Sequence, residues 1–163
     1  MAHHREHAVY AAVVPISYPE DDYLNLVGRL AYAVTFLEGL VLYDLPRLKD
    51  HLPSKLTLKE LAGGTTGGIG KLITDHAQKA THPAVATWLK VAGQLLCRAA
   101  KIRNPVLHAR PATIDNQQQL FRWGTREQFP ITIDRLREGI AEIEEMVLEL
   151  GNQRLPLRLF PPA

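Results

Sequence analysis

Three long stretches of this 163-residue chain place apolar residues at alternating intervals of three and four, the spacing of one face of an α-helix. They cover about 20–45, 83–103 and 133–150. Helices of this kind are stable mainly when they bury their apolar faces against one another. The pattern therefore predicts a helical bundle.

The segments between these helices are shorter and of mixed type. A further helix is predicted over about 68–80, behind a glycine-rich break. After His108 the pattern changes, since Asp115-Asn116 separates two β-prone stretches and predicts a hairpin over 112–123. The predicted fold class is thus all-α: a four- to five-helix bundle with a small β-hairpin insertion after His108.

The chain is expected to form a single domain over 1–163, since ~100–200 residues is usual for one domain. Its N-terminal segment, about 1–17, begins with a polar, His-rich stretch and is predicted to be flexible. The C-terminal tail, about 155–163, contains three prolines and is predicted to be extended. The single cysteine, Cys97, excludes an internal disulfide and a Cys-based zinc site.

Composition and hydropathy favour a cytoplasmic protein. Hydrophobic residues make up 46% and charged residues 22%, which is ordinary for a globular chain and too apolar for a disordered one. No apolar run reaches ~18 residues, so no transmembrane helix is expected, and the polar N-terminus lacks the basic-then-apolar order of a secretory signal. We therefore expect a cytoplasmic location and no membrane partner.

Charge is distributed unevenly although the formal net charge is only +2. No acidic residue lies between Asp75 and Asp115, where lysines and arginines are frequent, and carboxylates instead concentrate over 138–149. Two interpretations remain open. A basic helix lies beside an acidic one in the same fold, or the basic segment forms an anion-facing surface for nucleic acid.

One motif lies inside the basic segment: Arg103 is followed by Asn104 and, five positions after the arginine, by His108. This order is expected by chance roughly 0.01 times in a chain of this composition. It resembles the signature of the HEPN superfamily, an arginine, often followed by a polar residue, with a histidine four to six residues further on. The resemblance implies a small α-helical bundle that pairs through its motif-bearing helices. Many such proteins are metal-independent endoribonucleases, and many others are non-catalytic partners.

The chemistry of the motif residues suits RNA cleavage without a metal. Histidine is the usual side chain for proton transfer near neutral pH, so His108 is a candidate base or acid. Arg103 is a candidate for binding phosphate oxygens with two parallel hydrogen bonds and stabilising the developing charge. Asn104 can hold the phosphate or the imidazole through its amide. The flanking cations Lys101 and Arg110 are predicted to bind RNA.

A regular helix does not aim Arg103 and His108 at one phosphate, because five residues rotate by about 500° and leave the side chains about 140° apart. Two arrangements solve this problem. A two-fold dimer brings Arg103 of one copy near His108 of the other. Alternatively, Pro105 breaks the helix, and Asn104 caps a new turn that carries His108.

Glu38 stands where the apolar stripe of the first helix requires an apolar residue. A carboxylate at such a position is costly unless it is paired. Arg103 is the predicted partner, in which case Glu38 supports the site by orienting or neutralising that arginine. The alternative is that Glu38 lies at the edge of the stripe and reaches solvent.

The leading functional expectation is a HEPN-like, metal-independent endoribonuclease that acts as a homodimer, as a toxin or a defence element. The alternative is a non-catalytic helical interaction module in which the Arg103/His108 cluster is structural; a third hypothesis is a partner-neutralising protein such as an antitoxin. The expected partners are a second copy, RNA and a protein partner such as an antitoxin. No metal and no cofactor is expected, and the glycine-rich stretch lacks the spacing of a phosphate-binding loop.

Overall fold

The computed structural model describes residues 15–156, in which helices follow one another until a small sheet is inserted before the last helix. The α-helices are α1 (Asp21–Asp44), α2 (Leu58–Leu61), α3 (Thr66–His76), α4 (Pro83–Leu107) and α5 (Ile133–Asn152). Two 3-10 segments, Pro46–His51 and Ala77–Lys79, follow α1 and α3. The strands, all between α4 and α5, are β1 (Arg110–Ile114), β2 (Gln117–Trp123) and β3 (Gln128–Ile131).

The predicted hairpin is confirmed. β1 and β2 pair antiparallel around Asp115 and Asn116, whose φ angles of 51° and 61° fit a two-residue hairpin turn. The all-α fold class is wrong, however, because β3 adds a third antiparallel strand in the order β1-β2-β3. β3 is four residues long and contains Pro130, which lacks a ladder N–H and is tolerated on an edge strand. So short a strand has no readable period-2 pattern, which is why the sequence does not predict it.

The three long helices have the predicted bounds to within a few residues. α5 begins directly after Thr132, which caps the helix because its hydroxyl accepts a hydrogen bond from the Arg135 N–H at 3.2 Å. It continues through Gly151 to Asn152. The buried residues of α1 are Tyr23, Leu30, Val34, Leu37, Val41 and Asp44.

α3 and α4 cross closely and run antiparallel. At the crossing, a Cβ on Gly70 would lie 2.7 Å from the Gly93 carbonyl oxygen, so the approach requires glycine at this position. Gly67 faces Ala100 further along the same pair, where an added Cβ would lie 3.2 Å from the alanine Cβ. The glycine-rich stretch is therefore used for helix packing, and α3 begins inside it.

α1 and α5 run side by side in the same direction, since Leu30 lies beside Gly139 and, further along, Phe36 lies beside Leu148. Phe36 and Leu148 remain exposed along the seam between the helices. By length and composition α1 is apolar enough to cross a membrane, with a mean hydropathy of 1.4 over 18 residues. A buried core helix and a signal sequence meet the same criterion; 22% of this window is buried, and α1 packs against α3, α4 and α5. The cytoplasmic location stays a prediction.

α4 continues through Pro105 to Leu107, so the arrangement in which this proline breaks the helix does not occur. The proline lacks the N–H that would bond to the carbonyl four residues earlier. Packing and capping offset that loss. Val106 is buried in the core, and the His108 N–H bonds to the Asn104 carbonyl at 3.0 Å.

The predicted flexible and extended termini lie mostly outside the described residues. Where the tail begins, Leu155 is buried and its carbonyl accepts a hydrogen bond from Arg47 at 3.1 Å. Arg47 also binds the buried Asp44 carboxylate at 2.8 Å, and Arg154 binds the same oxygen at 3.1 Å. This cluster ties the end of α1 to the chain that follows α5.

Candidate functional site

Arg103 lies on the side of α4 that meets α3, and two side chains hold its guanidinium. Nη1 donates to the Thr66 hydroxyl at 2.9 Å, and Nη2 donates to Asn104 Oδ1 at 3.1 Å. Its Nε–H is buried without a hydrogen-bond partner in the described part of the chain. Arg103 is therefore oriented by two contacts while part of its donor capacity is unused.

Glu38 reaches the same cluster from α1 through the hydroxyl of Thr66. This hydroxyl donates to Glu38 Oε2 at 2.6 Å and accepts from Arg103. A hydroxyl can donate once and accept at the same time, so one side chain links the carboxylate to the guanidinium. Among the ion pairs of residues 15–156 there is no direct Glu38–Arg103 contact. Thr66 stands between the two residues that the sequence predicts to pair.

The start of α3 places Thr66 at this point. Thr66 is the first residue of α3 and is 2% exposed. Because Gly67 lets this end of α3 approach α4, the hydroxyl comes within reach of both α4 and α1. The Glu38 carboxylate consequently lies at the positive end of the α3 dipole, where negative charge is stabilised.

His108 directly follows the last residue of α4 and is exposed to solvent. Its backbone N–H bonds to the Asn104 carbonyl, which fixes it one helical turn from that residue. Within the described range, its imidazole forms no hydrogen bond. The ring nitrogens are therefore open to a ligand.

Arg122 in β2 is a cation at the end of α4 that the sequence analysis does not single out. Its Nη1 donates to the His108 backbone carbonyl at 3.4 Å. The hairpin brings it there, since β2 returns along β1 and Phe121 pairs with Arg110, two residues after His108. The two-residue turn fixes this register, so the signal for Arg122 is present in the sequence.

Within one chain, α4 does not bring Arg103 and His108 together. The helix is unbroken between them, so the separation of about 140° applies. Arg103 is turned toward α3, whereas His108 lies in solvent at the helix end beside Arg122. Asn104 connects the two, because its side chain binds Arg103 and its carbonyl binds the His108 N–H.

The two predicted RNA-binding cations lie in different surroundings. Lys101 is exposed but lines one cavity with Glu149 and a second with Glu142. One turn away, Arg98 forms ion pairs with Glu142 at 3.4 Å and with Glu149 at 3.6 Å. This side of the basic helix α4 therefore lies beside the acidic helix α5. This arrangement agrees with the first of the two interpretations of the charge distribution. Arg110, in contrast, is exposed at the first residue of β1.

Neither a metal-binding cluster nor a similar protein adds a constraint on the function. Across residues 15–156, no three His, Cys, Asp or Glu side chains are grouped so as to hold a metal ion. No protein-family model, curated protein or solved structure matches the chain.

Proposed function

We propose that the chain is a HEPN-like, metal-independent RNA endonuclease that acts as a homodimer. The observation that supports it best is the exposed imidazole of His108, one turn from Asn104, which in turn binds Arg103. A proton carrier, an amide and a guanidinium thus follow one another along the end of one helix. These groups suit cleavage of a phosphodiester by the substrate's own 2′-hydroxyl.

In this reaction a bond forms between the 2′-oxygen and phosphorus while the bond from phosphorus to the 5′-oxygen breaks. His108 accepts the proton of the 2′-hydroxyl or donates a proton to the departing 5′-oxygen. Arginine binds the non-bridging oxygens, on which negative charge accumulates. The products carry a 2′,3′-cyclic phosphate on one fragment and a 5′-hydroxyl on the other.

A second copy completes the site in this proposal, because Arg103 and His108 of one chain point in different directions. A two-fold axis near the end of α4 makes the two motif segments neighbours, so Arg103 of one copy serves the phosphate held at His108 of the other. Light scattering at micromolar concentration should give twice the chain mass of 18.2 kDa. The mass of a single chain would contradict the composite site.

The central experiment incubates the purified protein with single-stranded RNA in the presence of a chelator. Cleavage should occur and leave cyclic phosphate ends, and DNA of the same sequence should survive because it lacks the 2′-hydroxyl. His108→Ala should lower the cleavage rate by ~10²–10⁴-fold through loss of the proton carrier. Arg103→Ala should cause a comparable loss through weaker charge stabilisation.

A matched histidine variant controls for the removal of an imidazole. His76 ends α3, and its Nδ1 lies 3.0 Å from the Leu72 carbonyl, away from the motif. His76→Ala should cut RNA at the parent rate. If varied RNAs stay intact, or if His108→Ala cuts as fast as the parent, the nuclease proposal fails.

A non-catalytic interaction module is the second candidate, and one observation favours it. Arg103 is already bound by Thr66 and Asn104 and is linked to Glu38 through the Thr66 hydroxyl, as in a structural polar cluster. A folded dimer that binds a protein partner and leaves RNA intact would support the module. The nuclease would fit a toxin or defence element, and the module an antitoxin-like partner.

A further inference from the structure

The outer face of the three-stranded sheet carries an aromatic pair that the proposed cleavage step does not use. Phe121 and Trp123 are two residues apart in β2 and share a face, with ring centroids 4.9 Å apart. Trp123 is 55% exposed, and Phe121 is half-buried. An exposed tryptophan beside a second ring is a surface on which a planar ligand can stack.

The opposite face of the sheet packs against the helices. Ile131 is fully buried, and Leu120 packs against the core. The Tyr23 hydroxyl from α1 bonds to the backbone of both residues, at 2.8 Å to the Ile131 carbonyl and 2.9 Å to the Leu120 N–H. The sheet is therefore anchored on one side and presents Phe121 and Trp123 on the other.

Positive charge accompanies the aromatic pair. Arg110 in β1 is the cross-strand partner of Phe121, is exposed, and forms no ion pair among residues 15–156. The only other cation in the strands, Arg122, alternates to the opposite face with Leu120, and the three strands contain no carboxylate. A ligand that matches this face is planar and negatively charged, which describes a nucleotide.

The sheet face that carries Phe121 and Trp123 lies near His108, and this position also favours a nucleotide as the ligand. Arg110 follows His108 by two residues, and Arg122 contacts the His108 carbonyl. We propose that Phe121, Trp123 and Arg110 form a binding platform for single-stranded RNA, in which an unpaired base stacks on Trp123 and Arg110 binds a neighbouring phosphate. The choice of RNA as ligand rests on the proposed function.

Stacking on this platform selects unpaired RNA over duplex RNA. Bases inside a duplex are covered by their neighbours, whereas an unpaired base presents its whole face to an aromatic side chain. Every base has such a face, so the contact tolerates different sequences. The platform therefore directs single strands to the end of α4 without reading a particular sequence.

Binding is tested with a fluorescein-labelled single-stranded RNA whose 2′-hydroxyls are methylated, so that the chain binds the probe without cutting it. Trp123→Ala should weaken the affinity by roughly 5- to 150-fold, the effect of losing one stacked base. Trp123→Phe should largely restore the affinity because it keeps an aromatic face. Tyr43→Ala is the matched control, since Tyr43 is 75% exposed on α1, and it should bind as the parent does.

The cation is tested through salt dependence. Arg110→Gln should reduce the slope of log affinity against log salt concentration by about one, as expected for one lost phosphate contact. Tryptophan fluorescence gives an independent measurement of stacking. Trp88 is 1% exposed, so quenching by added RNA reports on Trp123 and should disappear in Trp123→Ala.

The outcomes separate this platform from the nuclease. The platform is overturned if Trp123→Ala binds the probe as the parent does, if duplex RNA binds as tightly as the single strand, or if the parent binds no single strand. A fall in solution mass on Trp123→Ala, with RNA affinity unchanged, assigns the face to a contact between copies and also overturns it. If binding depends on Trp123 but no RNA is cut, the platform stands and the nuclease fails.

Discussion

The hydroxyl of Tyr23 in α1 accepts a hydrogen bond from the backbone N–H of Leu120 in β2 at 2.9 Å, although 97 residues separate the two. The same hydroxyl donates to the Ile131 carbonyl of β3 at 2.8 Å. Leu120 and Ile131 are paired in the sheet, so the first helix bonds to both strands at one position. This contact couples the helical layer to the sheet.

Tyr23→Phe should lower the free energy of unfolding by about 1–3 kcal/mol, because the Leu120 N–H and the Ile131 carbonyl lose their common partner. Urea denaturation followed by circular dichroism measures the change. Tyr43→Phe removes an exposed hydroxyl from the same helix and should leave the midpoint unchanged. Equal stability of Tyr23→Phe and the parent would show that the buried bonds contribute nothing.

Alkaline pH should destabilise the parent chain through the same residue. Burial raises the pKa of the Tyr23 hydroxyl above its ordinary 10.0, and the Leu120 N–H offsets part of this increase. A raised pKa in the folded state contributes stability that is complete below pH 10 and is lost as the pH rises through the folded pKa. Unfolding measured across this range should show a steeper loss in the parent than in Tyr23→Phe. Parallel pH profiles would contradict the assignment.

Thr66→Val should disturb Arg103 and Glu38 together, because the isosteric side chain cannot bridge a carboxylate and a guanidinium. We expect a loss of about 1–3 kcal/mol in the free energy of unfolding and faster exchange of the Arg103 side-chain N–H groups. Thr66→Ser restores the hydroxyl and should restore slow exchange.

Thr74→Val is the control for this substitution on the same helix. The Thr74 hydroxyl bonds to the Gly70 carbonyl of its own helix, at 2.8 Å. Its removal should leave the exchange of the Arg103 N–H groups unaltered. If Thr66→Val and Thr74→Val behave alike in nuclear magnetic resonance spectra, Thr66 has no special role in orienting Arg103.

Gly70→Ala should be destabilising by about 1–3 kcal/mol, because the new Cβ would lie 2.7 Å from the Gly93 carbonyl oxygen and force α3 and α4 apart. Gly28→Ala provides the opposite case in α1, where nothing lies within 4 Å of an added Cβ. That change should stabilise the chain by about 0.5–1 kcal/mol through helix propensity. Thermal unfolding of both variants should therefore move in opposite directions, and a shared direction would refute the close-crossing argument.

The periodicity of apolar residues predicts the long helices and the turn residues Asp115 and Asn116 predict the hairpin, because both depend on local patterns. Local patterns do not predict β3, because its four residues form a strand only through pairing with β2. The continuation of α4 past Pro105 is likewise a tertiary effect. Burial of Val106 stabilises a last turn that the proline alone would disfavour.

The sequence predicts which residues near the end of α4 carry suitable chemistry, but it does not predict their contacts. A carboxylate on an apolar stripe requires a polar partner, and the partner of Glu38 is the Thr66 hydroxyl, which also binds the predicted partner Arg103. The intervening Thr66 could not be found in this way, because its position depends on how closely α3 approaches α4. Arg122 is a different case, since the hairpin register already places it beside the residues that follow α4.

The parallel packing of α1 against α5 has a consequence for how the chain is made. The first long helix leaves the ribosome well before its neighbour exists, because roughly a hundred residues must still be added, which takes about 5–20 s at typical rates of synthesis. During that interval the apolar side of α1 and the Tyr23 hydroxyl lack α5 and the sheet. The packing of α1 is therefore complete only after the last third of the chain has been translated. A nascent chain that stalls before α5 exposes this apolar side and is expected to bind chaperones.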